Sequence, residues 1–161
     1  MPDVAELRAV VGAVADPEIP VLTIADLGIL RGIAIVDGRV EVTITPTYSG
    51  CPAMDAIAAD VRTVLDAHDC RDAVVRTALA PAWTTDWMSE DGKRKLVEYG
   101  IAPPSGRAPV VGGPVSLTLS VRCPQCGSLD TRESSRFGST ACKSLWVCGA
   151  CREPFDHFKA I

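Results

Sequence analysis

The chain has 161 residues, 47% of them apolar and only 5% aromatic, so it can bury a core built on Ala, Val, Ile and Leu. Sixteen Lys and Arg against 20 Asp and Glu leave a net charge of -4, which argues against a chain built mainly to hold nucleic acid. No apolar run reaches the roughly 18–20 residues of a membrane helix. Residues 1–14 lack a basic-then-apolar leader pattern, so a cytoplasmic protein with no membrane or nucleic-acid partner is the expectation.

The helical spacing of Val4, Leu7, Val11 and Val14 predicts a first helix, stopped by Asp16-Pro17. An irregular stretch over 16–28 follows. Strands are predicted at about 30–36 and 40–45, with Asp37-Gly38 as the hairpin turn. In the second strand Val40, Val42 and Ile44 alternate with Glu41, Thr43 and Thr45, so one face is buried.

Pro52 fits the first position of a second helix, where its missing N–H costs nothing. Met54, Ile57, Val61, Val64 and Leu65 share a face of that helix, which runs to about residue 67. A third strand at about 73–79 precedes Pro81-Ala82-Trp83. Ser89 can cap a last helix with Glu90 and Asp91 in its positive first turn. Gly100 reads as its C′ residue, with Ile101 folding back on Leu96 or Val97. The order αββαβα describes a small α+β domain over residues 1–102.

Residues 101–114 hold four Pro and three Gly, and 103–114 read as a linker. The remaining residues, 115–161, are too few to bury a stable core alone, and a metal would supply what they lack. Strands are predicted at 115–121 and 144–147. No helical periodicity lies between Cys126 and Cys148, which excludes a helix-bearing DNA-reading finger.

The seven cysteines sharpen this. Cys123/Cys126 and Cys148/Cys151 form two C-x-x-C pairs, each pointing two sulfurs at one centre. Together they supply four soft donors for a tetrahedral zinc ion, with iron as the second choice, in a β-rich zinc ribbon. A thiol redox role for one C-x-x-C is the competing reading, and metal occupancy would exclude it.

Cys51 stands just before Pro52, at or next to the start of the second helix. Unpaired N–H groups there favour an anion, so Cys51 reads either as a metal-binding or nucleophilic thiolate or as a small buried side chain. Asp16, Glu18 and Asp26 fall in the irregular segment, where ligating a metal competes with bonding backbone N–H groups in turns.

His68 suits the end of the second helix, and Cys70 a plain buried position. His157 is a spare metal ligand at most. Cys142 either packs inside the ribbon or is a reactive thiol activated by Lys143. Trp83 and Trp87 offer either buried packing or an exposed patch for a partner protein. No enzyme template is complete: there is no G-x-S-x-G, phosphate loop or dinucleotide fingerprint.

The segments DPEIPVLTIADLG and TPTYSGCPAM resemble the iron–sulfur cluster assembly domain family. With PAWTTDWMSEDGKRKLVEYGIAPP and the ribbon CPQCGSLDTRESSRFGSTACKSLWVCGACREPFDHFKAI, nearly the whole chain resembles the PaaD-like family of the bacterial phenylacetyl-CoA epoxidase (ring-oxygenase) systems. The resemblance implies a non-catalytic accessory or maturation subunit in aerobic phenylacetate degradation. Its partners would be the di-iron oxygenase and the iron–sulfur flavin reductase. It implies that Cys51, with Asp16, Glu18 and Asp26, handles iron or an iron–sulfur cluster transiently. One cysteine cannot hold a cluster, which usually takes four thiolates, so a homodimer is a further expectation. A structural adaptor that binds the oxygenase complex without metal transfer is the alternative.

Overall fold

The computed structural model describes residues 2–105 and 120–160. It divides into two compact units, Met1–Trp83 and Thr84–Ile161.

In the first unit, α1 (Val4–Gly12) starts where the Asp3 side chain accepts from the Glu6 N–H at 2.7 Å. Leu7 and Val11 are its buried stripe. The chain then folds back on itself: Asp16 N–H donates to the Leu22 carbonyl, and Ile24 N–H to that of Val14. Where the sequence suggested only irregular chain, a one-turn helix, α2 (Ile24–Leu27), forms. Thr23 and Asp26 close a capping box around it. Four residues carry no readable periodicity, so the cap is the signal for α2.

β1 (Leu30–Val36) and β2 (Arg39–Ile44) form the expected antiparallel hairpin. Asp37 and Gly38 both take positive φ (51° and 76°), the twist that a two-residue turn between paired strands needs. α3 (Ala53–Ala67) buries Ile57, Val61 and Leu65, and β3 (Val74–Thr77) returns parallel to β2. The sheet order is β1-β2-β3. α1 packs on β1 and α3, so the core lies between that sheet and the helices, with Val42 and Ile44 fully buried. Trp83 is buried, and its Nε1–H donates to the Leu27 carbonyl at 2.8 Å.

The second unit opens with a 3-10 turn (Thr85–Trp87) and α4 (Glu90–Glu98). Ser89 caps α4 by accepting from the Gly92 N–H. Gly100 takes φ 86°, the left-handed value expected of a residue ending a helix. The next residues do more than fold back on the helix. β4 (Ile101–Ala102) joins a sheet in the order β4-β7-β6-β5, pairing parallel with β7 (Pro154–Phe158), while α4 packs against β4.

Composition placed the domain boundary at 102/103, yet the units meet at 83/84. The physical reason is that α4 and β4 are held by the ribbon sheet. Of the predicted linker (103–114), residues 106–114 lie outside the described residues. So do residues 115–119 of the predicted strand at 115–121; its last two residues belong to no strand.

β6 (Lys143–Cys148) is the strand predicted at 144–147, one residue longer at each end. β5 (Thr131–Ser135) and β7 were not foreseen. β5 has the sequence TRESS and shows almost no burial alternation, as suits a charged edge strand. β7 begins at a proline and is nearly all aromatic and buried from Phe155 onward except Asp156. No helix among the described residues is long and apolar enough to cross a membrane.

Candidate metal centre

Each C-x-x-C sits in a knuckle fixed by its own backbone. In the first, the Gly127 N–H donates to the Cys123 carbonyl and the Cys123 N–H to the Ser128 carbonyl, both at 2.9 Å. Arg122 adds a guanidinium bond to the Gly127 carbonyl at 2.8 Å. In the second, Cys148 ends β6. Its N–H donates to the Glu153 carbonyl at 3.0 Å, and Arg152 takes φ 64° to turn the chain into β7.

The knuckles face one another. The Sγ atoms of Cys123 and Cys151 are 3.7 Å apart, those of Cys126 and Cys148 are 3.6 Å apart, and all four lie within 4.8 Å of one another. A zinc ion binds thiolate at about 2.3 Å, so sulfurs at the corners of a tetrahedron around it stand about 3.8 Å apart. The four cysteines therefore fit one tetrahedral soft metal ion. Cys123 and Cys148 are buried among Ala102, Val121, Trp146 and Phe155, Cys151 is half-buried and Cys126 is exposed.

The sulfurs influence one another's protons. The backbone N–H of Cys151 leads in bringing the Cys148 thiol down to about 7. The Ala150 N–H and the sulfurs of Cys126 and Cys151 assist, against the opposing effect of burial. At Cys151 the Glu153 amide favours the thiolate. Burial and the sulfurs of Cys148, Cys126 and Cys123 outweigh it and push the thiol up to about 12. Crowded sulfurs that cannot all ionise together are the condition a divalent cation relieves.

The other candidate residues are not gathered in this way. Among the described residues, the four knuckle cysteines are the group of three or more His, Cys, Asp and Glu able to reach one ion. Cys51, Asp16, Glu18 and Asp26 form no such group. Cys51 is half-buried, one residue ahead of the cap position taken by Pro52; its N–H donates to the Tyr48 carbonyl and its own carbonyl accepts from Met54 N–H. Asp16 is buried, and its Oδ1 accepts from the Glu18 and Ile19 N–H groups, each at 2.8 Å. Asp26 is buried too, with Oδ2 accepting from the Thr23 N–H at 3.0 Å. Turn and cap bonding, one of the two readings open from sequence, occupies both carboxylates.

Three expectations need correction or completion. Trp83 cannot present a partner surface, because it is buried and bonded to Leu27, while Trp87 is half-buried in the second unit. Cys142 is not set up as a reactive thiol: it is buried, with Thr140 Oγ1 at 3.0 Å from its sulfur, and Lys143 directs Nζ toward Asp156 at 3.7 Å. His157 is no metal ligand. It is buried on β7, with Nδ1 at 3.4 Å from Ser144 Oγ and its ring edge-on to Trp146. His68 bonds the Val64 carbonyl at 2.8 Å through Nδ1, as suits a helix end, and Cys70 is buried.

Residues 5–76 match the family described as iron-sulfur cluster assembly protein, and residues 108–159 match the PaaD zinc beta ribbon domain. An Escherichia coli (strain K12) protein, named as the D component of a "Putative 1,2-phenylacetyl-CoA epoxidase", is 46% identical over 160 residues, which is 99% of this chain and 94% of that one. The chain belongs to the PaaD family of phenylacetyl-CoA epoxidase components.

The N-terminal half of this PaaD family member has a wider kinship. A Porphyromonas gingivalis protein named Fe-S protein maturation auxiliary factor is 38% identical over 85 residues, covering 52% of this chain and 80% of that protein. A crystal structure of a domain of unknown function, DUF59, from Bacillus anthracis superposes with a TM-score of 0.53 at 29% identity, covering 58% of this chain and 90% of that one. The first unit therefore has the iron–sulfur assembly-type α+β fold, and the second carries a β-rich, four-cysteine metal-binding ribbon.

Proposed function

We propose that the protein is a non-catalytic, cytoplasmic maturation subunit that assists iron or iron–sulfur cluster assembly on the di-iron oxygenase or the iron–sulfur flavin reductase of the epoxidase. The observation that carries this reading is the union in one chain of an iron–sulfur assembly domain over 5–76 with a four-cysteine ribbon, along a near-full-length likeness to the D component of an epoxidase. The Porphyromonas gingivalis likeness supports the maturation role over a catalytic one.

Cys123, Cys126, Cys148 and Cys151 would hold a structural zinc ion. Zinc supplies a closed, redox-inert tetrahedral tie and no chemistry. The residues themselves do the shaping: each knuckle fixes two sulfurs, and the pairing of β5 with β6, Thr131 opposite Cys148, brings the knuckles together. A ribbon tied in this way leaves no free dithiol for exchange, which sets the redox reading aside once metal is present.

Cys51 is the residue proposed to handle iron. A half-buried thiol at the head of α3 can be reached from outside. Asp16 and Asp26 would act by holding the loop that precedes β1, since their oxygens serve backbone N–H groups. Glu18 keeps the part in iron handling that the family resemblance implies for it. A single thiolate leaves three cluster positions open, so a second copy or the client would complete the site.

The adaptor reading gains from one observation: the described residues bring no three-ligand set to Cys51. The two readings separate in one experiment. Oxygenase and reductase are matured in cells carrying wild-type or Cys51→Ser protein, and their iron is measured. Maturation predicts iron-poor partners from the variant. Full iron, together with stoichiometric co-purification of the variant, selects the adaptor.

A further inference from the structure

β1 is an outer strand of its sheet, with β2 on one side and no described strand on the other. Its pairing with β2 decides which backbone groups face that open edge. Val36 stands opposite Arg39 across the two-residue turn, and Ala34 stands opposite Glu41. These pairs exchange N–H and C=O bonds with β2, because the residues flanking such a turn do so and bonded pairs then alternate along the strands. Ile33 and Ile35 therefore turn their N–H and C=O groups outward, and no described backbone group bonds them. The register shift between Leu30 and Gly32 lies ahead of this stretch, so residues 32–36 form a regular edge.

The side chains along the edge suit pairing better than water. Residues 32–36 carry no charge, whereas open edges are commonly guarded by lysine, proline or an inward-pointing charge. Ile35 is 39% exposed and Val36 45%. Ile35 shares the core face with the buried Ile33, and Val36 shares the other face with Ala34 and Gly32.

We infer that a second copy of this chain pairs with this edge, β1 antiparallel to β1, about a twofold axis at Ala34. A twofold contact must be self-complementary, and in this register the strand is. Ile33 meets Ile35 of the second copy as a hydrogen-bonded pair, on both sides of the axis, so the outward N–H and C=O groups of both residues find partners. The exposed Ile35 is covered by Ile33 on the core face. Val36 comes opposite Gly32, where a β-carbon would meet nothing within 4 Å, so the larger side chain has room. Arg31 and Asp37, both exposed, come together as opposite charges. Sliding one copy by two residues keeps the hydrogen-bond phase, but it sets Ile35 against Arg31 in one direction and Ile33 against Asp37 in the other. The pairing stands or falls independently of iron handling at Cys51.

The test uses full-length, zinc-loaded protein. Wild type should sediment as a dimer at micromolar concentration. Ile35→Lys puts a charge on the edge and should raise the dissociation constant by about tenfold or more, with circular dichroism and zinc content unchanged. Ala34→Cys sets two thiols face to face on the axis. Under mild oxidation it should cross-link far faster than Gly32→Cys, and well above the background of the wild-type cysteines.

Wild type that stays monomeric up to about 100 μM overturns the proposal. So does a dimer that Ile35→Lys leaves intact, or an Ala34→Cys cross-link that forms no faster than that of Gly32→Cys. A monomer whose binding to the purified oxygenase or reductase is lost in Ile35→Lys assigns the edge to that partner and overturns the proposal too. None of these outcomes touches the iron content of the partners, on which the maturation role is tested.

Discussion

Gly149, inside the second knuckle, lies against Asp130: its N–H donates to the Asp130 carbonyl at 2.7 Å, and a β-carbon on it would stand 2.7 Å from Asp130 Cγ. A side chain at 149 must turn the exposed Asp130 carboxylate aside. Gly149→Ala should therefore cost less than about 1 kcal/mol in the metal-bound protein and speed metal loss to a chelator only slightly. Gly32→Ala in β1 meets nothing within 4 Å and should leave metal retention unchanged. Thermal unfolding and release of metal to a chromogenic chelator measure both.

Removing the metal should affect the ribbon before anything else. Cys148→Ser takes away a fully buried ligand and should abolish stoichiometric zinc by elemental analysis. Because the metal's binding energy is folding energy in so small a module, hydrogen exchange across β6 and β7 should accelerate by orders of magnitude in this variant. Cys70→Ser, at a buried thiol outside the cluster, should leave zinc content unchanged.

The four-cysteine site was legible in the sequence because its spacing is local: two C-x-x-C turns state the geometry wherever the chain takes them. The β1–β2 hairpin, α3 and the caps of α4 were legible for the same reason, each resting on a few neighbouring residues. What escaped was set by distant partners. TRESS becomes a strand only because β6 lies beside it, and Ile101-Ala102 becomes one only because β7 offers an open edge. Trp83 could be sorted between core and surface only once Leu27 was seen beneath its Nε1. The carboxylates of Asp16 and Asp26 could be sorted only once the N–H groups they accept from were in place.

Asp26 lets capping be separated from iron handling. Asp26→Asn keeps an oxygen for the Thr23 N–H and should cost well under 1 kcal/mol, whereas Asp26→Ala should cost about 1 kcal/mol, as loss of a cap does. Denaturant unfolding gives both values. If capping is its whole task, Asp26→Asn should support client iron loading as wild type does.

His157 ties stability to pH. Burial, with a smaller contribution from Lys159, lowers its pKa from 6.5 to about 4, and Nε2 has no partner among the described residues. The unfolded chain binds a proton at this ring below about pH 6.5, while the folded chain resists until about pH 4. The stabilisation is thus fully present above pH 6.5 and is lost as pH falls from there toward 4. The difference amounts to about 3 kcal/mol at most. In excess zinc, His157→Gln should flatten the stability profile across that window while leaving the pH of metal release in place.

Trp83→Phe should leave the buried Leu27 carbonyl unpaired and cost about 1–3 kcal/mol, with the loss read in melting of the first unit.

Permanent metal in the ribbon and transient iron at Cys51 are the two halves of the proposed function. Its most direct test is the iron content of oxygenase and reductase matured beside Cys51→Ser protein whose own zinc is intact. The account predicts a several-fold deficit of iron in at least one of them, restored by wild-type protein. Partners with full iron beside a zinc-replete Cys51→Ser variant would contradict it.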